Sequence, residues 1–415
     1  MSARENVDPI AMKDHIVASR LALVKPSASL AAKARADAMR AAGRQIVDFT
    51  TGEPDVPTPA HIIEAGVLAL RNGHTRYTAS AGTAELRNAI VDKLQRENQL
   101  SYELGEVVVG SGAKHIIFNA FTASLDPGDE VVVPAPYWVS YPDMVLINGG
   151  TPKIVACSED DSFKITAEAL ARAINERTKW FILNSPNNPT GAVYSEDELR
   201  AIGEVLLKHP RVHVMVDEIY EHFVYGSARH VGLLSATPEL RSRTLVVNGL
   251  SKTYAMTGWR IGYGAGPAHL VTAITLLITQ STTCAAASAQ AAAVVALNAA
   301  QDCVGEAVKM HRERRDLMVS RLNTIDGFHC NLPDGAFYVF ASVAGFIGGK
   351  TRDGNVLRSD VDVAAFLREE AGVVAIDGQS YGLSPYLRFS FATSISEIDR
   401  GCDAIAAAVR QLRLP

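Results

Sequence analysis

The chain has 415 residues, of which 47% are apolar and 20% are charged, a composition typical of a globular protein that is long enough for two domains. A formal net charge of −5 offers no basic surface, so we expect neither nucleic acid nor membrane as a partner. Five scattered cysteines without a C-x-x-C pair argue against disulfides and against a bound metal. The first residues lack the apolar region of a signal peptide, and we expect a cytoplasmic protein.

Short apolar runs alternate with helical patterns through the middle of the chain. The candidate strands are Glu106–Val109, Glu130–Val133, Lys153–Ala156, Trp180–Leu183, Val212–Val216, Thr244–Val247 and Ile261–Ala265. Because most of these runs are continuously apolar, helices should cover both faces of the sheet that they form. The pattern predicts an α/β fold, with a large domain built on a mostly parallel sheet of about seven strands.

The last hundred residues differ from this alternation. A long charged segment that begins near Val304 predicts a helix, and Phe337–Phe340, Val373–Ile376 and Tyr386–Phe391 are candidate strands of a smaller α+β domain. We predict that residues 61–305 form the large domain and residues 306–415 the small one. Residues 1–60 should form an N-terminal segment that joins the small domain.

A lysine follows one of the predicted strands, in the segment NGLSKTYAMTGWR. In an open α/β sheet, ligands bind outside the carboxyl ends of the strands, which is where Lys252 would lie. A lysine that is partly desolvated there, with Arg260 eight residues later, would have a lowered pKa and would attack an aldehyde. Taken alone, a lysine at this position is better interpreted as a solvated surface residue, and it is Arg260 and the two motifs below that favour a role in chemistry.

Two further polar motifs follow predicted strands. In VHVMVDEIY, Asp217 closes an apolar run and can pair with a protonated ring nitrogen, while Tyr220 can donate to a phenolate oxygen of the same ring. The alternative is that Asp217 caps a following helix. In NSPNNPTG, two prolines stiffen a loop from which Asn188 can bond a cofactor oxygen, although the same residues also occur in ordinary turns.

Four segments together, TTGEPDVPTP, NSPNNPTG, VDEIYEHFVY and NGLSKTYAMTGWRIGY, resemble the fold-type I, class I and II aminotransferases. The similarity is to the aspartate aminotransferase family, in its bacterial subgroup, and it runs in order from about Lys25 to the C-terminus. The resemblance implies pyridoxal 5′-phosphate as the cofactor and a transamination with ping-pong kinetics. Its substrates would be small molecules, an amino acid and a 2-oxo acid, and its active unit a homodimer with shared sites.

The resemblance assigns a role to each residue of the ring-binding set. Lys252 would carry the cofactor as a Schiff base and move the proton between the substrate Cα and the cofactor. Asp217 would hold the pyridinium proton, and Tyr220 and Asn188 would bond the O3′ oxygen. Arg260 would bind the cofactor phosphate.

The loop Gly110–His115 opens a predicted helix, where phosphate binds favourably. Its third glycine is missing, which disfavours a dinucleotide-binding motif. The resemblance implies instead that the backbone N–H groups of Ala113 and Lys114 bind the phosphate. Many relatives have a serine where this chain has Gly249, so Lys114 or Ser251 would have to compensate.

Two aromatic residues complete the set that the resemblance implies for the cofactor. Trp138, in PYWVSYP, would stack on the pyridine ring and lie beside the substrate, although core packing is the commoner use of a tryptophan. Tyr77 would reach the phosphate from the neighbouring subunit.

An arginine in an apolar strand pattern, Arg388 in PYLRFSFAT, needs an anion to offset its burial. The resemblance makes that anion the substrate α-carboxylate, which Asn188 and the main chain of Gly52 would also approach. The alternative is a structural salt bridge within the small domain.

The side-chain carboxylate of a dicarboxylic substrate is bound in different relatives by lysines at different positions. The resemblance implies Lys25 for it, whereas other relatives use a lysine where this chain has Thr122. Aspartate with 2-oxoglutarate is the first expectation. The alternatives are aromatic or broad specificity, with Phe337 and Tyr338 lining an apolar pocket, glyoxylate or pyruvate as the acceptor, and a lyase that uses the same cofactor.

Overall fold

The computed structural model describes residues 16–24 and 28–414, with side chains for residues 16–24 and 31–414. The α-helices of this part are α1 Ala28–Ala41, α2 Ala60–Arg71, α3 Ala84–Asn98, α4 Ala113–Ser124, α5 Ser140–Ile147, α6 Ala167–Ala173, α7 Glu196–Leu207, α8 Leu233–Ala236, α9 Ala268–Ser281, α10 Ala287–Asn298, α11 Asp302–Asn323, α12 Asp360–Phe366 and α13 Ile395–Val409. The strands are β1 Val47–Asp48, β2 Val107–Gly110, β3 Glu130–Ala135, β4 Thr151–Ala156, β5 Thr178–Asn184, β6 His213–Asp217, β7 Thr244–Gly249, β8 Gly262–Ala265, β9 Tyr338–Ser342, β10 Val373–Val374, β11 Ile376–Asp377 and β12 Tyr386–Ser390.

Seven strands form the main sheet, in the order β2-β8-β7-β6-β5-β3-β4. Strands β3 to β7 pair in parallel, and β8 pairs antiparallel with both β7 and β2. The prediction of an α/β fold with a mostly parallel sheet of seven strands is confirmed, with strand ends that differ from the predicted ones by a few residues.

Successive side chains of each central strand enter two different cores because a strand alternates between the faces of its sheet. In β6, Val214 and Val216 pack in one core, together with apolar residues of α3, α7 and α10. Met215 points to the opposite face and packs with residues of α4, α5 and α9. The strands are therefore apolar on both faces, which explains their continuous apolar runs.

The C-terminal part has a separate core around a three-stranded antiparallel sheet in the order β11-β12-β9. Two residues near position 48 contact this part: Val47 of β1 pairs in parallel with Val373 of β10, and Phe49 packs against Phe389. The domain boundaries at residues 60 and 305 stay a prediction. Among the residues described, none of the helices has both the length and the apolar character needed to cross a membrane.

The carboxyl ends of the parallel strands lie at one edge of the main sheet, and polar or small residues end them. Asn184 closes β5 and pairs in register with Asp217, which closes β6. Gly249 closes β7, three residues before Lys252. Ligands bind at this edge in open α/β sheets, so the fold brings the predicted motifs to one place.

Candidate active site

A cavity of about 540 Å³ lies between this edge of the main sheet and the β9–β12 sheet. Ten of the residues predicted for the site line it: Gly52, Ala113, Lys114, Trp138, Asn188, Asp217, Tyr220, Lys252, Arg260 and Arg388. These residues come from sequence positions more than 300 apart, and the fold brings their side chains or backbone to one surface.

Lys252 is partly buried in the cavity wall, where its Nζ donates a hydrogen bond to the backbone oxygen of Gly52 at 2.5 Å. Burial lowers the pKa of the Lys252 amine to about 8; Glu53 opposes this shift, and Arg260 adds to it. With that pKa, about a tenth of the amine is uncharged at pH 7. An uncharged amine is the form that attacks a carbonyl carbon.

Asp217 is buried beneath the cavity and accepts hydrogen bonds from the Tyr141 hydroxyl at 2.6 Å and from the Ile219 N–H at 3.3 Å. Burial raises the pKa of this carboxyl to about 6, against the opposing effect of the two hydrogen bonds. A cation bound beside Asp217 would hold it ionised. The residues after Asp217 form turns rather than a helix, so the alternative role as a helix cap is wrong.

Arg388 is only 2% exposed, and two of its N–H groups are engaged within the chain. Its Nη1 donates to Asn188 Oδ1 at 3.0 Å and its Nη2 to the Thr50 backbone oxygen at 2.6 Å. The Arg388 Nε–H is buried without a hydrogen-bond partner, and no carboxylate of the residues described lies within ion-pairing distance. The alternative of a structural salt bridge is therefore not supported, and the buried guanidinium can still accept an anion.

The part of the cavity beside the start of α4 carries two cationic side chains, those of Arg260 and Lys114. Helix α4 begins at Ala113 after Gly112, without a side-chain cap, so its first N–H groups are free for an anion. Arg260 lies beside this terminus and donates to the Thr257 and Ser111 backbone oxygens at 2.7 and 3.4 Å. Lys114 stands over the Trp138 ring at 4.7 Å, and burial, together with Arg260, lowers its pKa.

Gly249, where the resemblance leads us to expect a serine, is closely packed against the neighbouring strand. A Cβ atom on Gly249 would lie 3.0 Å from the Ile261 backbone oxygen and 3.1 Å from the Gly262 Cα. Backbone at this separation cannot give way as a flexible side chain can. Ser251 lines the cavity two residues later, as Lys114 does, so both residues proposed to compensate are within the site.

Several residues of the cavity wall lie outside the predicted cofactor- and substrate-binding set, among them Tyr141, Lys33 and Tyr338, of which only Tyr338 was expected at all, as part of an apolar pocket. Tyr141 lies three residues after Trp138 in the same motif and meets its ring edge-on, with centroids 5.2 Å apart. Tyr338 contacts Tyr220, and Lys33 of α1 lines the N-terminal side of the cavity. The three-residue spacing of Trp138 and Tyr141 could have indicated from the sequence that the two rings lie together. Tyr338 and Lys33 could not be found in this way, because they are far in sequence from the other residues of the cavity.

Some predicted residues do not take part in the cavity. Tyr77 is 85% exposed and lies outside its lining, so its role in a neighbouring subunit stays a prediction. Lys25 lies outside the described residues. Phe337 packs against Phe223 and His311 in the core instead of lining the cavity, so an apolar pocket that includes it is not supported. Thr122 is exposed and donates to the Phe118 backbone oxygen.

A buried ion pair contacts the end of β7, the strand that leads into the Lys252 loop. Lys93 of α3 contacts Glu221 and also donates to Asn98 Oδ1 at 2.8 Å. Burial alone would raise the pKa of Glu221, but Lys93 holds it well below its usual range. Glu221 in turn accepts a hydrogen bond at 2.7 Å from Asn248 of β7, four residues before Lys252.

The sequence matches the model of the aminotransferase class I and II family over residues 44–405. The chain is 48% identical to the aspartate aminotransferase of Rhizobium meliloti strain 1021, over 95% of this chain and 96% of the relative. It is 47% identical to a probable aspartate/prephenate aminotransferase of Rhizobium leguminosarum bv. phaseoli, over 94% and 97%. The crystal structure of the aspartate aminotransferase from Rhizobium meliloti superposes with a TM-score of 0.94, at 48% identity and with coverage of 96% and 99%.

The fold, the cavity and these similarities define a transferase. The chain belongs to the aminotransferase class I and II family, and it is an enzyme that transfers amino groups. The resemblance seen in the four sequence motifs is therefore confirmed.

Proposed function

We propose that this enzyme uses pyridoxal 5′-phosphate to move the amino group of an L-amino acid, with aspartate as the first choice, to a 2-oxo acid, with 2-oxoglutarate as the first choice. One observation carries the proposal: an amine of lowered pKa, a buried carboxyl and a buried, partly unpaired guanidinium line the same cavity. The amine can react with an aldehyde, the carboxyl can pair with a protonated ring nitrogen, and the guanidinium can bind a substrate carboxylate.

The residues present fit the cofactor's polar groups. The free N–H groups at the start of α4, with Arg260 and Ser251, would hold the phosphate, and Lys114 adds positive charge. Asp217 would pair with the protonated ring nitrogen, which also explains why an otherwise costly carboxyl is buried there. Trp138 would cover one face of the ring.

Pyridoxal phosphate, when bound, supplies an electron-poor ring that accepts the electron pair released at the substrate Cα. Lys252 would hold the cofactor through its Nζ, and the same amine, once displaced by substrate, would take the Cα proton. Asp217 would keep the ring nitrogen protonated, and Tyr141 would keep the Asp217 carboxylate in place. Tyr220 and Asn188 would donate to the phenolate oxygen.

Arg388 would orient the substrate. Its unpaired Nε–H, together with an Nη proton, can bind the α-carboxylate in a bidentate manner, while its bonds to Asn188 and Thr50 fix the guanidinium plane. Both half-reactions use a substrate with this carboxylate, so one arginine would serve donor and acceptor. The orientation would bring the Cα proton toward Lys252.

A second carboxylate on the substrate would meet the N-terminal side of the cavity. We assign its binding first to Lys25, and Lys33 is a further cation that lines this side. Several relatives at 44–47% identity are named aspartate/prephenate aminotransferases, which supports prephenate as a second candidate acceptor. Aspartate, 2-oxoglutarate and prephenate all carry two carboxylates, so the same cation would serve each of them.

We also propose that the active unit is a homodimer with shared sites. The 85% exposure of Tyr77 in one subunit supports this, since a large aromatic side chain at the surface gains from a partner. Tyr77 would then reach the phosphate in the neighbouring subunit. Sedimentation of the loaded protein should give the mass of two chains, which tests the dimer. A Tyr77→Phe variant should keep this mass but retain less cofactor by visible absorbance, which tests the shared site.

A donor-by-acceptor screen of the purified, cofactor-loaded protein tests the function. Aspartate added alone should bleach the visible absorbance of the bound cofactor and release its 2-oxo acid stoichiometrically, and 2-oxoglutarate or prephenate should restore the absorbance. Continuous turnover of the amino acid without any acceptor would indicate a lyase and contradict transamination. Lys25→Ala should raise the KM for aspartate much more than for phenylalanine, and equal effects would remove Lys25 from the distal site.

A further inference from the structure

Tyr338 has a hydroxyl group in the cavity wall that none of the proposed roles uses. It is the first residue of β9, is fully buried, and lies with its hydroxyl oxygen 2.8 Å from that of Tyr220. The two rings meet edge-on, with centroids 5.8 Å apart. Tyr220 belongs to the main-sheet side of the cavity and Tyr338 to the smaller sheet, so this hydrogen bond joins the two sides.

The direction of this hydrogen bond follows from proton counting. Each phenol has one proton to donate and two lone pairs that accept. If Tyr220 donates its proton to the phenolate oxygen of the cofactor, it has none left for Tyr338. Tyr338 must then be the donor and Tyr220 the acceptor at the 2.8 Å contact. The result is a chain of two hydrogen bonds that ends on the cofactor, and such chains strengthen each member.

Arg388 acts on the same phenol from the other side. In the antiparallel pair of β9 and β12, Tyr338 is opposite Ser390 and Phe340 is opposite Arg388, so Tyr338 and Arg388 are diagonal neighbours on one face. The guanidinium carbon lies 4.4 Å from the Tyr338 ring centroid. Burial raises the pKa of Tyr338, but the Arg388 charge opposes that rise, which makes the phenol a better donor.

The backbone at Gly52 lies close to the Tyr338 hydroxyl group. A Cβ atom on Gly52 would lie 3.2 Å from the Tyr338 hydroxyl oxygen, so a larger residue would crowd it. The same Gly52 accepts the hydrogen bond from Lys252 through its backbone oxygen. Tyr338 therefore lies among the groups that would hold cofactor and substrate, with an orientation set by all of them.

We propose that Tyr338 is a positioning residue: it donates its proton to Tyr220, fixes Tyr220 as the donor to the cofactor's phenolate oxygen, and thereby lowers the proton affinity of the Lys252 nitrogen in the loaded protein. This inference rests on the proposed use of pyridoxal phosphate. With the cofactor bound through Lys252, the negative charge of the phenolate oxygen would stabilise a proton on Lys252 Nζ. A stronger donor on that oxygen leaves less negative charge to hold the proton.

Tyr338→Phe keeps the ring that packs beneath Arg388 and removes only the hydroxyl. We expect the visible spectrum of the loaded variant to titrate at a pKa roughly 0.5 pH unit higher than that of the wild type, because a fraction of one charge-assisted hydrogen bond is lost. Tyr220→Phe should raise this pKa further, because it removes the direct donor. Since the titration reads only protein with bound cofactor, it remains informative if the variant binds cofactor less completely.

Two comparisons separate this role from a structural one. Tyr386→Phe removes a phenol from the neighbouring strand that donates to Glu159 and does not line the cavity, and it should leave the pKa unchanged. In a Tyr220→Phe background, Tyr338→Phe should add no further shift, because its effect is transmitted through Tyr220. An unchanged pKa in Tyr338→Phe, or a shift that persists without the Tyr220 hydroxyl, would overturn the inference while the cofactor proposal stands. A wild-type protein that shows no titrating cofactor band would overturn both.

Discussion

Replacing Arg388 with lysine retains the positive charge at the base of the cavity but removes the planar fork that can hold a carboxylate. A guanidinium has five N–H groups, and only two of those on Arg388 are engaged by Asn188 and Thr50. Three remain, including the buried Nε–H that has no partner. An ammonium group at this position can make a single-point contact with the substrate, whereas the arginine can make two parallel bonds.

The expected loss follows from one charge-assisted hydrogen bond. Such a bond contributes about 1.5–3 kcal/mol, so Arg388→Lys should reduce kcat/KM by about 10- to 150-fold. The reduction should be similar for the amino acid and for the 2-oxo acid because both present an α-carboxylate to the same residue. Cofactor binding should persist, since Arg388 is assigned to the substrate carboxylate and not to any group of the cofactor, and the lysine keeps the positive charge near Asn188 and Tyr338.

The assay measures kcat/KM for both substrates by steady-state kinetics, with the visible spectrum as a check of cofactor content. Arg410→Lys, at an exposed position of the C-terminal helix end, is the matched control and should be unaffected. An unchanged kcat/KM in Arg388→Lys, or a loss confined to one of the two substrates, would refute the assignment of Arg388 to the α-carboxylate.

Three further predictions follow from burial and charge. Asp217→Asn removes the charge opposite the ring nitrogen and should lower kcat at least roughly tenfold with cofactor still bound; full activity in a loaded variant would exclude the pairing. Because the pKa of Lys252 is lowered to about 8, the rate at which the cofactor-free protein takes up pyridoxal phosphate should rise with pH to a midpoint near 8, and a midpoint near 10.5 would contradict the effect of burial. Lys93→Met removes the lysine partner of the buried Glu221 and should lower the free energy of unfolding by about 3–5 kcal/mol in urea titrations. Lys208→Met, at an exposed position, should change the free energy of unfolding by less than about 0.5 kcal/mol. Equal losses in the two variants would contradict a stabilising role for the buried ion pair.

Much of the main sheet is predictable because its strands are buried on both faces and carry continuous apolar runs. The polar residues that end these runs identify the ligand-binding edge, as Asn184 and Asp217 show by pairing in register. Apolar runs carry no information about direction, so the antiparallel orientation of β8 was not foreseen. The connection between Gly249 and Gly262 contains no helix, and an antiparallel pair does not need the helical crossover that usually joins parallel strands.

Contacts across the cavity are much harder to predict than the residues that line it. Phe337 and Tyr338 are adjacent in sequence and both contact Tyr220, yet only Tyr338 lines the cavity, and composition alone cannot say which of the two does. The hydrogen bond between Tyr220 and Tyr338 joins residues 118 positions apart, and that between Arg388 and Asn188 joins residues 200 apart. Such pairings depend on how the two sheets face each other.

The central claim is that Lys252 carries the cofactor. Reduction of the pyridoxal phosphate-loaded protein with borohydride, followed by proteolysis and peptide mass mapping, tests it directly. The reduced cofactor should be attached to the peptide that contains Lys252, and the Lys252→Ala variant should show neither the visible absorbance nor transamination. Attachment to another lysine of the cavity, such as Lys114, or full turnover by Lys252→Ala would contradict the account.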